Sequence, residues 1–239
     1  DNAGYLVDAT SPTVSSVAIT SATGEQNSTL NAGDVVSVTV SMSEAVTVTG
    51  TPRVALDVGG TTVYANYASG SGTSSLVFTY QIEAGQTDGN GISIDANSLG
   101  LNGGTIADAA GNAATLAHAA VADNAGYLVD TTSPTVSSVA ITSATDEQNS
   151  TLNAGDVVSV TVSMSEAVTV TGTPQVGLNV GGTTVQASYD AASSTSTSLV
   201  FKYTIQGGQT DGNGISIAAN SLGLNGGTIA DAAGNAAAL

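Results

Sequence analysis

The side chains best equipped for chemistry in this 239-residue chain are carboxylates, and they have almost nothing basic to pair with. Nineteen Asp and Glu residues face two basic residues, Arg53 and Lys202, giving a net charge of −17. Carboxylates without ammonium or guanidinium partners need another counter-charge, which divalent cations supply. Calcium takes roughly six to eight oxygen ligands, so acids and amides converging from separate loops suit it. One candidate set is Asp8, Glu44, Asp108 and Asn112. The same residue types return as Asp130, Glu166, Asp231 and Asn235. A further set comprises Asp88 and Asp123, with Asp211 as the counterpart of Asp88.

Other chemistries lack parts. His118 is the only histidine and cysteine is absent, which leaves nucleophilic and acid–base schemes incomplete and rules out disulfides. Paired carboxylates could serve a glycosidase, but sugar sites favour aromatic platforms and Trp is absent. The chain reads as a non-enzyme, with His118 an incidental strand residue. Its negative surface repels phosphate backbones and anionic lipid, so neither nucleic acid nor a membrane is an expected partner. No apolar run approaches the roughly 20 residues needed to cross a bilayer. No signal peptide is visible, and the chain opens on a piece of repeat, so it reads as an internal fragment.

The elements that must position the acids are strands. Val36, Val38, Val40 and Met42 alternate with Ser37, Thr39 and Ser41, the pattern of a half-buried strand. Val54-Ala55-Leu56-Asp57-Val58, Gly59-Gly60 and Val63 to Tyr67 read as a hairpin, and Leu76, Phe78, Tyr80 and Ile82 alternate again. About seven strands are expected per copy, near 13–20, 35–42, 53–58, 62–67, 75–82, 91–101 and 113–129, in an immunoglobulin-like β-sandwich.

The pattern occurs twice. Asp1-Asn2-Ala3-Gly4-Tyr5-Leu6-Val7-Asp8 returns as Asp123 to Asp130 at an offset of 122, and Phe78 returns as Phe201 at 123, one residue having entered between Tyr67 and Leu76 or their equivalents. A period this long is a whole domain. The fold expected is all-β: two tandem immunoglobulin-like antiparallel sandwiches end to end. Residues 1–8 are the tail of a preceding repeat, 9–129 the first repeat, and 130–239 a second whose final strand is truncated.

A resemblance covers the whole chain. Val129-Asp130-Thr131-Thr132-Ser133-Pro134-Thr135-Val136 resembles the linker that opens bacterial Ig-like repeats in giant surface adhesins. Leu30-Asn31-Ala32-Gly33-Asp34-Val35-Val36, Ser43-Glu44-Ala45-Val46 and Asp108-Ala109-Ala110-Gly111-Asn112 resemble further hallmarks of those repeats. The resemblance implies RTX-type or biofilm-associated adhesins, exported by type I secretion and often stiffened by calcium. It implies an extracellular, cell-surface location, with neighbouring repeats of the same protein as partners.

Counting strand directions places Glu44, Asp108 and Asn112 at the top of the first domain beside Asp8, and Glu25, Asp34 and Asp88 at its bottom beside Asp123. Glu166, Asp231 and Asn235 gather beside Asp130 in the second copy. Calcium at the joint would neutralise these acids and remove hinge freedom. An alternative assigns Asp34, Asp156, Asp88 and the Asp108–Asn112 stretch to turn hydrogen bonds. Asp57, Glu83 and Asp95 become Asn179, Gly207 and Ala218 in the second copy and read as solvated surface. The expected function is a calcium-rigidified extender that projects a distal ligand-binding domain for adhesion or biofilm formation. A module that itself binds carbohydrate or another cell is the alternative. Weak head-to-tail self-association is a further expectation, residues 1–8 being a spare copy of the end of the strand that the second domain lacks.

Overall fold

Strands form wherever β-branched residues carry the alternation. The computed structural model describes residues 4–239, so Asp1, Asn2 and Ala3 of the repeated segment lie outside it. The protein is all-β with curled antiparallel sheets, and it divides into two compact units, Asp1–Thr132 and Ser133–Leu239. The first unit thus runs a little past the boundary expected at 129. Asp130 pairs with Thr87, and the Thr131 hydroxyl donates to the Gln86 carbonyl (2.9 Å), which anchors both to that unit.

In the first unit the strands are β1 (Val14–Thr23), β2 (Thr29–Leu30), β3 (Val35–Thr49), β4 (Arg53–Val58), β5 (Thr61–Ser69), β6 (Thr73–Gln81), β7 (Thr87–Asp88), β8 (Leu99–Gly100), β9 (Thr105–Ala107) and β10 (Leu128–Asp130). The main sheet runs β1-β3-β6-β5-β4-β8, and β9 joins it through β3. Strand β3 extends seven residues past the expected end at Met42 because its register against β6 breaks between Ser41 and Val46, after which it pairs with β9. That break curls the sheet. Val36, Val38, Val40, Leu56, Leu76 and Phe78 are buried inside the curl, and Tyr67 meets the Phe78 ring edge-on with centroids 5.7 Å apart.

Two expected strands are largely irregular. Residues 91–101 keep only β8 and the single bridges of Ser93 with Asp57 and Ile94 with Val121. Residues 113–129 form isolated bridges until β10. Left-handed backbone at Gly91 and Asn97 interrupts the first stretch. The second is rich in alanine, which offers a pleated surface little to pack. This tail still closes the core. Strand β10 lies between β2, which it meets in parallel, and β7, which it meets antiparallel.

The second unit contains β11 (Val136–Ala144), β12 (Val157–Met164), β13 (Thr169–Thr171), β14 (Gln175–Val180), β15 (Thr183–Tyr189), β16 (Ser198–Thr204), β17 (Ser216–Gly223) and β18 (Thr228–Ala230). Its main sheet, β11-β12-β16-β15-β14-β17, keeps the order of the first, and β13 pairs with β18 as the end of β3 does with β9. The inserted residue falls in the β15–β16 connection, where a 3-10 turn at Ala191–Ser193 is capped by Asp190. Nothing equivalent to β10 stands in this unit among the described residues.

Gly91 and Gly214 make that difference measurable. Both are left-handed, at φ +96° and +93°, but a Cβ on Gly91 would meet the Asn124 carbonyl oxygen at 2.0 Å whereas one on Gly214 meets nothing within 4 Å. Alanine at either costs roughly 1–2 kcal/mol of backbone strain. Gly91→Ala is expected to add about 1–3 kcal/mol of overpacking. Urea titrations read by hydrogen exchange in each unit would show the gap; equal costs would remove the tail from its observed seat.

Candidate metal centre

Three carboxylates of the first unit converge although they lie far apart in the chain. Glu44 sits in the stretch where β3 slips register, and Asp108 directly follows β9, whose Ala107 pairs with Thr47 of β3. The linker is brought in by clamping. The Thr13 backbone donates to the Ser43 hydroxyl (3.0 Å) and accepts from the Ser43 N–H (2.8 Å), while the Thr115 N–H donates to the Pro12 carbonyl (2.8 Å). Asp8 then stands beside the other two, and carboxylate oxygens of Asp8, Glu44 and Asp108 all lie within 4.8 Å of one another.

Asn112 ties the group together. Its backbone and side-chain N–H groups donate to the two oxygens of Asp108 (2.8 Å each), and its side chain also reaches the Asp8 carbonyl (3.1 Å). The Asn112 amide bond, with backbone N–H groups of Asn112, Ala110 and Gly111, holds the Asp108 carboxyl below the ordinary 3.8 against the opposing pull of burial. The folded state therefore prefers ionised Asp108. Its contribution is full above the unfolded pKa and is lost as pH falls through the lower folded value. With calcium chelated, acid titration of stability below about pH 4 is expected to flatten in Asp108→Asn. An unchanged acid limb would show that Asp108 does not set it.

These donors fit calcium. Two oxygens bound to one calcium ion at about 2.3–2.6 Å each can be no more than roughly 5 Å apart, and the group meets that limit. No basic side chain competes. The Arg53 guanidinium stacks over the Tyr64 ring at 3.7 Å, and Lys202 pairs with Asp190.

In the second unit Asp231 and Asn235 repeat the local clasp with two 2.8 Å bonds, and the Thr135 backbone donates to the Ser165 hydroxyl beside Glu166. Asp130 belongs to the first unit, where its carboxylate accepts from the Thr132 N–H (2.9 Å).

Asp88, Asp211, Asp123 and Asp34 are held by hydrogen bonds outside that group. Asp88 is buried, and its oxygens accept from the N–H groups of Gly59 (2.9 Å), Gly91 (2.8 Å) and Asn90 (3.2 Å). Asp211 accepts likewise from Gly181, Gly214 and Asn213, and the Gly181 bond leads in holding its carboxyl below the ordinary range. Asp123 accepts from the Asn90 side chain (2.5 Å), and Asp34 from the Asn31 N–H (2.9 Å). None of these four is in the Asp8 group.

Two roles escaped the sequence. Asp57 accepts from the Gly60 N–H, and Asn179 does the same for Gly182, so the substitution keeps an acceptor in a Gly-Gly turn. His118 is a clip: Nε2 accepts from the Ser98 (2.9 Å) and Leu99 (3.2 Å) N–H groups, and Nδ1 donates to the Ala119 carbonyl (2.8 Å). An Asx or Gly-Gly signal could have found the first. Only the fold brings His118 to Ser98.

The class so defined is an all-β tandem of curled antiparallel sheets with grouped carboxylates. No protein-family model, curated protein or solved structure matches the chain.

Proposed function

We propose that this chain is a structural extender of a bacterial surface adhesin, built from tandem Ig-like repeats and acting outside the cell without catalysis. Calcium held by Asp8, Glu44 and Asp108, with Asn112 orienting Asp108, fastens the linker to the domain that follows it. The observation that carries this reading is the convergence of three carboxylates from the linker, β3 and the residue after β9, with both basic side chains engaged elsewhere. The second copy carries the same residue types at Asp130, Glu166, Asp231 and Asn235, as a spacer made by repetition requires. The Ig-like assignment rests on the shared strand order of the two units and on the break in β3 that folds one sheet over a single core.

A spacer has no ligand of its own. The isolated chain, loaded with calcium, is expected to give no signal on a glycan array or in adhesion to cells. Saturable binding to a glycan or to a cell would replace this reading with that of a direct adhesion module.

A further inference from the structure

The two copies differ in one place on their sheets. Strands β1 and β3 return in the second unit without a change, although both carry exposed or half-buried Ser and Thr. In β4, β5 and β6 the outward side chains are replaced: Arg53, Asp57, Tyr64, Asn66 and Thr79 become Gln175, Asn179, Gln186, Ser188 and Lys202. The residues between them, such as Val54, Leu56, Ala65 and Phe78, are buried and keep their identity.

The basic residue of each unit stands on the same cross-strand row of this face. Arg53 is registered with Asn66 and Asn66 with Thr79, while Gln175 is registered with Ser188 and Ser188 with Lys202. Lys202 is occupied, pairing with Asp190 and donating to the Ser193 hydroxyl (2.7 Å). Arg53 pairs with no carboxylate among the described residues and lies over Tyr64, which is itself 42% exposed. Asp57 shares its face of β4, about 13 Å along the strand at roughly 3.3 Å per residue. Ala55 is midway between them, with Tyr64 registered beside it.

We propose that this face joins two copies of the chain, first unit to first unit, about a two-fold axis lying along the Ala55–Tyr64 row. The axis sets each Arg53 opposite Asp57 of the second copy and brings the Tyr64 rings together at the centre. One patch then supplies both halves of a self-complementary contact, as a two-fold interface requires. A purely acidic ligand would satisfy Arg53 and leave Asp57 without a partner. The second unit has lost both charges and the ring, so it neither pairs with itself nor competes. The contact needs neither calcium nor the adhesin reading.

Both chains are acidic, so sedimentation velocity should be run in about 0.15 M salt, where screening acts within about 8 Å. EDTA removes cation bridges between carboxylates. From about 10 μM to about 1 mM chain, the weight-average sedimentation coefficient is expected to rise and level off at a dimer. Arg53→Gln, Tyr64→Gln and Asp57→Asn install residues that the second unit already holds in the same sheet, and Asn179 keeps the turn bond to Gly182. Each should weaken association about tenfold or more. Arg53→Glu and Asp57→Lys should each be monomeric alone, and their equimolar mixture should associate. Concentration-independent sedimentation of the parent chain, association that survives Arg53→Gln with Tyr64→Gln, or a silent mixture beside an associating parent would each overturn the proposal.

Discussion

Millimolar calcium is expected to raise the melting temperature of this chain by on the order of 10 °C over its value in EDTA. The three carboxylates within 4.8 Å repel one another when no cation is present, so the ion-free fold carries that repulsion in place of its relief. Extracellular calcium modules bind with dissociation constants of roughly 0.1–1 mM. At about 10 mM calcium, a hundredfold excess over the tighter end of that range, one site adds about 2.7 kcal/mol. For a domain near this size each kcal/mol moves the midpoint by about 3–6 °C. Glu44→Gln should lower the midpoint in calcium and raise it slightly in EDTA, since it removes one ligand and one repelling charge. That reversal of sign separates ion binding from a general effect of the mutation. Coincident melts of the parent in calcium and EDTA would end the metal reading, and the proposed rigid spacer with it.

The parts legible in the sequence are those where side-chain pattern and backbone agree. Alternation in Val36–Met42 and Leu76–Ile82 marks β3 and β6 because their inward faces are Val, Leu, Phe and Met, which only a two-residue period buries together. Strand direction then carried Glu44 and Asp108 to one end beside Asp8, where their oxygens meet. Asp88 was harder. An Asp-Gly dipeptide signals a turn, yet the buried carboxylate also caps Gly59, 29 residues away, a partner that local sequence does not name. The 113–130 tail was hardest. Its alanines show no periodicity, and the parallel pairing of β10 with β2 joins residues about a hundred positions apart. There the neighbours decide the conformation, and the tail's own sequence decides little.

That dependence on neighbours sets up the second large effect. Val129→Asp is expected to cost the first unit about 3–5 kcal/mol. Val129 is 3% exposed between Leu30 and Asp88, so the change forfeits roughly 1.5–3 kcal/mol of apolar burial and also sets a second carboxylate beside one already buried. A domain stable by about 5–15 kcal/mol would lose a large part of its margin. Val7→Asp makes the same substitution in the same local sequence, Tyr-Leu-Val-Asp, at a residue 93% exposed. In dilute solution it should change stability by less than about 0.5 kcal/mol. Urea unfolding of the two variants, followed by hydrogen exchange of each unit, would give both numbers. The comparison holds residue type, flanking sequence and introduced charge constant, so propensity cannot account for a difference. If Val129→Asp proved as mild as Val7→Asp, the β2–β10–β7 slot would not hold the tail.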